Sequence, residues 1–130
     1  YLHIFKTPTP IAKYLGLAIF VIGYSIILCT MVQNEFAQSV VNIQDERNQM
    51  LVDTGLYSYV RHPMYTGLMF FFAGIGLWLG SIFMATIGTI ILMLAFIPRI
   101  LIEEETLSGE LNGYEAYLQR VKYRIIPKVY

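Results

Sequence analysis

Charged and apolar positions along this chain fall into blocks. No charge occurs from Tyr14 to Val32, and none again from Pro63 to Ile97, whereas the intervening stretch and the carboxy-terminal part are polar. The first block, taken as 11–32 with Lys13 snorkelling from the first turn, rises roughly 28 Å over its uncharged part, against a hydrocarbon core of about 30 Å. It predicts a membrane span. The second block as one helix would run roughly 52 Å, too far for a single crossing. It must double back, and Gly80-Ser81 is the small, polar break near its middle. The pattern therefore predicts a helical hairpin with spans at 63–79 and 82–102.

The remaining segments fit around those three spans. Pro8 and Pro10 with Thr7 and Thr9 give an extended lead-in. From Gln33 to Val60 the chain is an aqueous or interfacial loop, in which Asp53-Thr54-Gly55 is a turn signal and Tyr57 and Tyr59 read as headgroup-level anchors. Gly67 and Gly74 lie two turns apart, and Gly76 and Gly80 four residues apart, so helices should approach closely there. Pro98 removes a backbone donor and should kink the third span. Residues 103–130 read as a cytoplasmic tail with an interfacial helix, because Tyr114, Tyr117, Leu118 and Val121 share one helical face. The expected fold is all-α, an integral membrane domain over 1–130 with about three transmembrane helices. The chain opens at Tyr1 without an initiator methionine, which leaves room for processing, trimming or further spans ahead of it.

Composition supports lipid as the solvent: 56% of residues are hydrophobic and only 14% charged, and the mean hydropathy is +0.56. A net charge of +0, with no basic stripe, gives nothing for nucleic acid to bind. Cys29, among Ile26, Ile27, Leu28, Met31 and Val32, reads as a small buried hydrophobe and has no partner for an internal disulfide. Lysine and arginine set the orientation. Arg47, Arg61, Arg99, Arg120, Lys122, Arg124 and Lys128 fall on one side and Lys6 and Lys13 on the other, so the hairpin's polar ends are expected in the cytoplasm.

Two clusters carry the candidate chemistry, and the hairpin brings them to one membrane face. Arg61-His62-Pro63-Met64-Tyr65-Thr66-Gly67 opens the second span, while Arg99 and Glu103-Glu104-Glu105 end the third. Ionisable groups near membrane depth cost about 3 kcal/mol each on insertion scales, which makes them functional candidates. Arg99 and Glu103, at i and i+4, share a helix face that allows an ion pair or a shared ligand. The plain alternatives are an arginine snorkelling to headgroups, a solvated acidic helix exit, and a histidine that only hydrogen-bonds a helix end. His62 with two glutamates makes a weak metal set, lacking a second nearby histidine. Ser58 and Cys29 have no evident base.

Taken together, Gly55-Leu56-Tyr57, Arg61-His62-Pro63-Met64-Tyr65-Thr66-Gly67, Pro98-Arg99, Glu103-Glu104-Glu105-x-Leu107, Gly113-Tyr114-x-x-Tyr117 and Tyr123-Arg124-Ile125-Ile126-Pro127 resemble the isoprenylcysteine carboxyl methyltransferase and phospholipid methyltransferase superfamily, in its short prokaryotic form. The resemblance implies a cytoplasm-facing S-adenosylmethionine pocket in a bacterial or archaeal inner membrane. Within it, His62 and Tyr65 would contact the cofactor, the backbone of Leu51 and Val52 would clasp its adenosine, and Glu103 or Glu104 would bind its polar groups. Arg99 and Glu103 would be the catalytic pair, with Arg99 facing the acceptor. That acceptor would be a lipophilic or lipidated molecule entering from the membrane lipids, an isoprenylcysteine-type carboxylate or a related lipid. Larger members carry further amino-terminal spans that this sequence does not contain.

Other readings use the same residues. An amine acceptor would make the chain a phospholipid N-methyltransferase, with Glu103, Glu104 or His62 taking the proton. A membrane reductase of the sterol reductase type would use Arg120, Lys122 and Arg124 for the 2′-phosphate of NADPH. A non-catalytic membrane protein would keep the hairpin without turnover. Oligomeric state is not legible in the sequence.

Overall fold

The computed structural model describes residues 9–34 and 50–130. Its described elements are helical: α1 (Pro10–Gln33), a 3-10 turn (Gly55–Ser58), α2 (Pro63–Trp78), a π-helical turn (Met84–Gly88) leading into α3 (Thr89–Glu110), and α4 (Tyr114–Arg120). The polar stretch 35–49 of the expected loop, like the lead-in up to residue 8, lies outside the described residues.

Local chemistry sets each boundary. Thr9 caps α1 by accepting a hydrogen bond from the Ala12 amide at 3.3 Å, and Pro10 occupies the first turn, where its missing donor costs nothing. Pro63 starts α2 in the same way and holds His62 at φ −127°, outside the helical region. At the other end of α2 the chain reverses through Gly80, whose φ of +86° favours a residue without a Cβ. The Ser81 hydroxyl then accepts from the Met84 amide at 3.1 Å and starts the return helix.

Two stretches, Pro10–Gln33 and Met84–Glu110, are long and apolar enough to cross a membrane, and between them stands the shorter apolar α2. At 1.5 Å per residue, the 16 residues of α2 rise about 24 Å. The protein is an all-helical membrane protein in which most apolar side chains of α1 face outward, such as Ile11 at 79% and Val32 at 87% exposure. α1 buries only a stripe of Gly16, Gly23 and Thr30. That stripe sits on the glycine face of α2. A Cβ on Gly16 would lie 2.5 Å from the Trp78 amide nitrogen, and one on Gly67 would lie 2.8 Å from Ile27. Such close backbone approach lets dispersion hold the pair where lipid offers no hydrophobic drive. Gly76 meets the backbone of Ala85 in the same manner and closes the hairpin.

Two expectations are corrected. Cys29 is exposed rather than buried, because the buried stripe of α1 passes through Thr30 instead. Tyr57 is a core residue at 8% exposure, whereas Tyr59 at 69% fits the anchoring role. α3 itself runs on past Glu103 to Glu110. α4 then folds back, burying Tyr114, Tyr117 and Val121 against Leu51, Leu107, Leu111 and Leu118.

Candidate functional site

Three segments meet where α2 begins and the apolar part of α3 ends: residues 61–65, residues 99–104 and the extended strap 121–126. The strap is laid on the start of α2 by backbone bonds, the Arg61 amide donating to the Tyr123 carbonyl at 2.9 Å and the His62 amide to that of Arg124 at 2.8 Å. The Thr66 hydroxyl donates to the Ile125 carbonyl at 2.7 Å. Ile125, fully buried, packs with Ile100 and Tyr65 beneath the cluster.

Glu104 is the centre of the closed half. Its side chain is 9% exposed, and Oε1 accepts from Arg61 Nη1 at 2.9 Å and pairs with His62 Nε2 at 3.1 Å, while Oε2 accepts from Arg124 Nε at 3.0 Å. Arg61 also donates through Nε to the Val121 carbonyl at 2.6 Å and through Nη2 to the Lys122 carbonyl at 2.9 Å. One guanidinium thus ties the acid to the strap, and a buried charge so paired avoids the several kcal/mol that an isolated one costs. The guanidinium carbon of Arg124 lies over the Tyr130 ring, 5.2 Å from its centroid.

Glu103, the next residue, lies in the open half. Its side chain is 30% exposed, Oε2 accepts from the Tyr65 hydroxyl at 3.1 Å, and Oε1 stands 3.9 Å from His62 Nδ1. Arg99 Nε donates to the same Tyr65 hydroxyl at 2.9 Å. The direct Arg99–Glu103 contact allowed by their spacing is therefore replaced by a phenol between them.

Leu51 is half-buried on the α4 cluster, and Val52 beside it is half-buried too. Their loop is pinned at several points. The Leu56 amide donates to Gln33 Oε1 at 3.0 Å, Asn34 donates to the Tyr57 hydroxyl at 3.2 Å, and the Tyr117 hydroxyl donates to the Tyr57 carbonyl at 2.7 Å. Arg120 pairs with Asp53. Burial pushes the Tyr57 phenol up to about 12, with the Asn34 hydrogen bond opposing and the negative charge of Glu103 adding to the rise. Burial likewise raises Tyr114, reinforced by Glu104, and Tyr117. These phenols stay neutral at physiological pH.

The structure thus gathers His62, Tyr65, Arg99, Glu103 and Glu104 into one cluster, with the Leu51–Val52 loop held beside it through α4 and Tyr57. Sequence reading quotes Arg61 and Arg124 within motifs but gives neither a place in the S-adenosylmethionine pocket, and it misses their pairing with Glu104. Arg61 adjoins His62 in the motif, but its partner Glu104 is 43 residues away and only the folded hairpin brings them together. With Arg120 on Asp53 and Arg124 on Glu104, Lys122 is left of the three cations considered for a 2′-phosphate.

A membrane hairpin closed at one end by a carboxylate, imidazole and guanidinium cluster defines the class: a small helical membrane protein with a polar site where its spans end. The sequence model of the phospholipid methyltransferase family matches residues 11–111, and the chain belongs to that family. Over 83 residues it is 31% identical to the protein-S-isoprenylcysteine O-methyltransferase of Schizosaccharomyces pombe (strain 972 / ATCC 24843). That match takes in 63% of this chain and 35% of the length of the S. pombe protein.

Proposed function

We propose that the protein is a methyltransferase that uses S-adenosylmethionine and acts on a lipophilic acceptor at the cytoplasmic face of a bacterial or archaeal inner membrane. The observation that carries this reading is the open half of the cluster: a partly exposed Glu103 beside His62 and, across Tyr65, an arginine whose Nη donors have no partner among the described residues. The donor set suits such a cofactor. A carboxylate with an open oxygen matches an ammonium, sulfonium or ribose diol, and the half-buried Leu51 and Val52 would offer apolar side chains and backbone groups to a nucleobase. Bound there, S-adenosylmethionine would supply an electrophilic methyl group on sulfur.

The protein's own part is positioning and exclusion of water, which in-line transfer chiefly requires. Glu103 and His62 would hold the cofactor, with Tyr65 standing between Glu103 and Arg99, and Glu104 would act by fixing His62 and the strap. Arg99 would orient the acceptor through its Nη edge, a forked contact suited to a carboxylate. The relative's name, an isoprenylcysteine O-methyltransferase, favours a carboxylate acceptor. The family's description favours a phospholipid instead, in which case Glu103 or His62 would take a proton from an amine.

Membranes containing the protein, incubated with methyl-labelled cofactor, separate these outcomes. Label that enters lipid or lipidated material and is released by mild base indicates a carboxyl ester; base-stable label in phospholipid indicates the amine. No transfer to either, with displacement of a nicotinamide probe by NADPH, would reject the proposal.

A further inference from the structure

Arg99 and Glu103 occupy the spacing at which opposite charges on a helix usually meet directly. Among the described residues they form no ion pair. The Tyr65 hydroxyl stands between them, accepting from Arg99 Nε at 2.9 Å and donating to Glu103 Oε2 at 3.1 Å. A phenol has a single hydrogen to give, and here it goes to the acid while a lone pair takes the cation. The ring is fixed by packing rather than by charge: its centroid is 4.7 Å from that of Phe96, and Ile100 and Ile125 close around it. The wedge comes from α2, whereas both charges belong to α3, so the hairpin itself keeps them apart.

Each charge is left with a free edge. Arg99 keeps Nη1 and Nη2 without a hydrogen-bond partner among the described residues, and Glu103 Oε1 has only His62 Nδ1 at 3.9 Å, beyond hydrogen-bond range. We propose that Tyr65 is a positioning residue, a spacer that prevents Arg99 and Glu103 from neutralising each other and so lets one helix face offer a guanidinium fork and a carboxylate together. The proposal rests on the reading of Glu103 as a cofactor ligand. Without the hydroxyl, Arg99 and Glu103 close into a direct charge-assisted pair and each consumes the other's binding edge.

The test is calorimetric titration of S-adenosylhomocysteine into the full chain in lipid nanodiscs, comparing wild type, Tyr65→Phe, Arg99→Leu and the double variant. Tyr65→Phe keeps the ring and is expected to weaken binding about tenfold or more, the scale of one charge-assisted contact. Arg99→Leu is expected to stay within about twofold of wild type. The double variant should recover to within about threefold, because nothing remains to pair with Glu103. A ring needed only for packing, or a hydroxyl that itself touches the ligand, predicts no recovery, and that result overturns the spacer. Should Tyr65→Phe fail to fold, Arg99→Leu still decides: tightening by about tenfold would mean that Arg99 already sits on Glu103. Absence of binding by wild type defeats the cofactor reading itself, whereas binding without rescue defeats the spacer alone.

Discussion

Glu103 and Glu104 are consecutive on α3, about 100° apart around its axis, and they end in opposite circumstances. Glu104 faces the start of α2 and the strap, where two guanidiniums and an imidazole take up its oxygens. Glu103 is partly exposed, accepts from the Tyr65 hydroxyl through one oxygen and, among the described residues, has no hydrogen bond to the other. The difference teaches where structure ends and binding begins. A carboxylate with both oxygens taken ties the helices to the strap, and the one beside it, chemically identical and adjacent in sequence, is the one that the proposed function gives to a ligand.

The largest effect that separates them is on folding. Glu104→Ala leaves Arg61 and Arg124 without their acid and is expected to cost about 3–5 kcal/mol, the usual penalty for breaking a buried pair. Glu103→Gln is expected to cost less than about 1 kcal/mol. Thermal midpoints in detergent measure both, and equal losses would erase the distinction drawn between the two acids.

A smaller effect appears at high pH, in the tyrosine layer under the closed half. Burial raises the Tyr57 phenol from 10.0 to about 12, and raises Tyr114 and Tyr117 as well. The folded state therefore holds these protons more tightly than the unfolded chain. The contribution of Tyr57 is complete below pH 10 and is lost as pH climbs through about 12. Denaturant midpoints between pH 7 and 12 should stay level at first and then fall, with the fall reduced in Tyr57→Phe. A decline already visible near neutral pH would assign the sensitivity to other groups.

The smallest effect belongs to the exposed Asp53–Arg120 pair, which links the Leu51–Val52 loop to α4 but faces water, with Arg120 at 62% exposure. Asp53→Asn should cost less than about 1 kcal/mol after solvent screening. Added salt should reduce even that difference. A larger loss would move the loop's anchorage from Tyr117 and Tyr57 to this pair.

Much of this arrangement is legible in the sequence because the uncharged block from Pro63 to Ile97 is too long for one span and breaks at Gly80. That one pattern brings His62 and Arg99 to the same end. Helical spacing also supplies the Arg99–Glu103 face and the buried face of α4. It does not supply the wedge between Arg99 and Glu103, since Tyr65 is 34 residues from Arg99 and enters through the pairing of two helices. For the same reason the ion pairs of Arg61 and Arg124 are not legible until the fold places Glu104 between them. Cys29 and Tyr57 show a different limit. Apolar neighbours do not reveal which face of a lipid-exposed helix is buried, and an aromatic run near a turn does not reveal which ring points inward.

The most direct measurement is a side-by-side calorimetric titration of S-adenosylhomocysteine into wild type and Glu103→Gln, both in nanodiscs and both checked for equal thermal midpoints. The account predicts saturable binding by wild type and a loss of about tenfold or more in the variant, the scale of a charge-assisted contact. Equal affinity in the two proteins, or no binding by folded wild type, would contradict it.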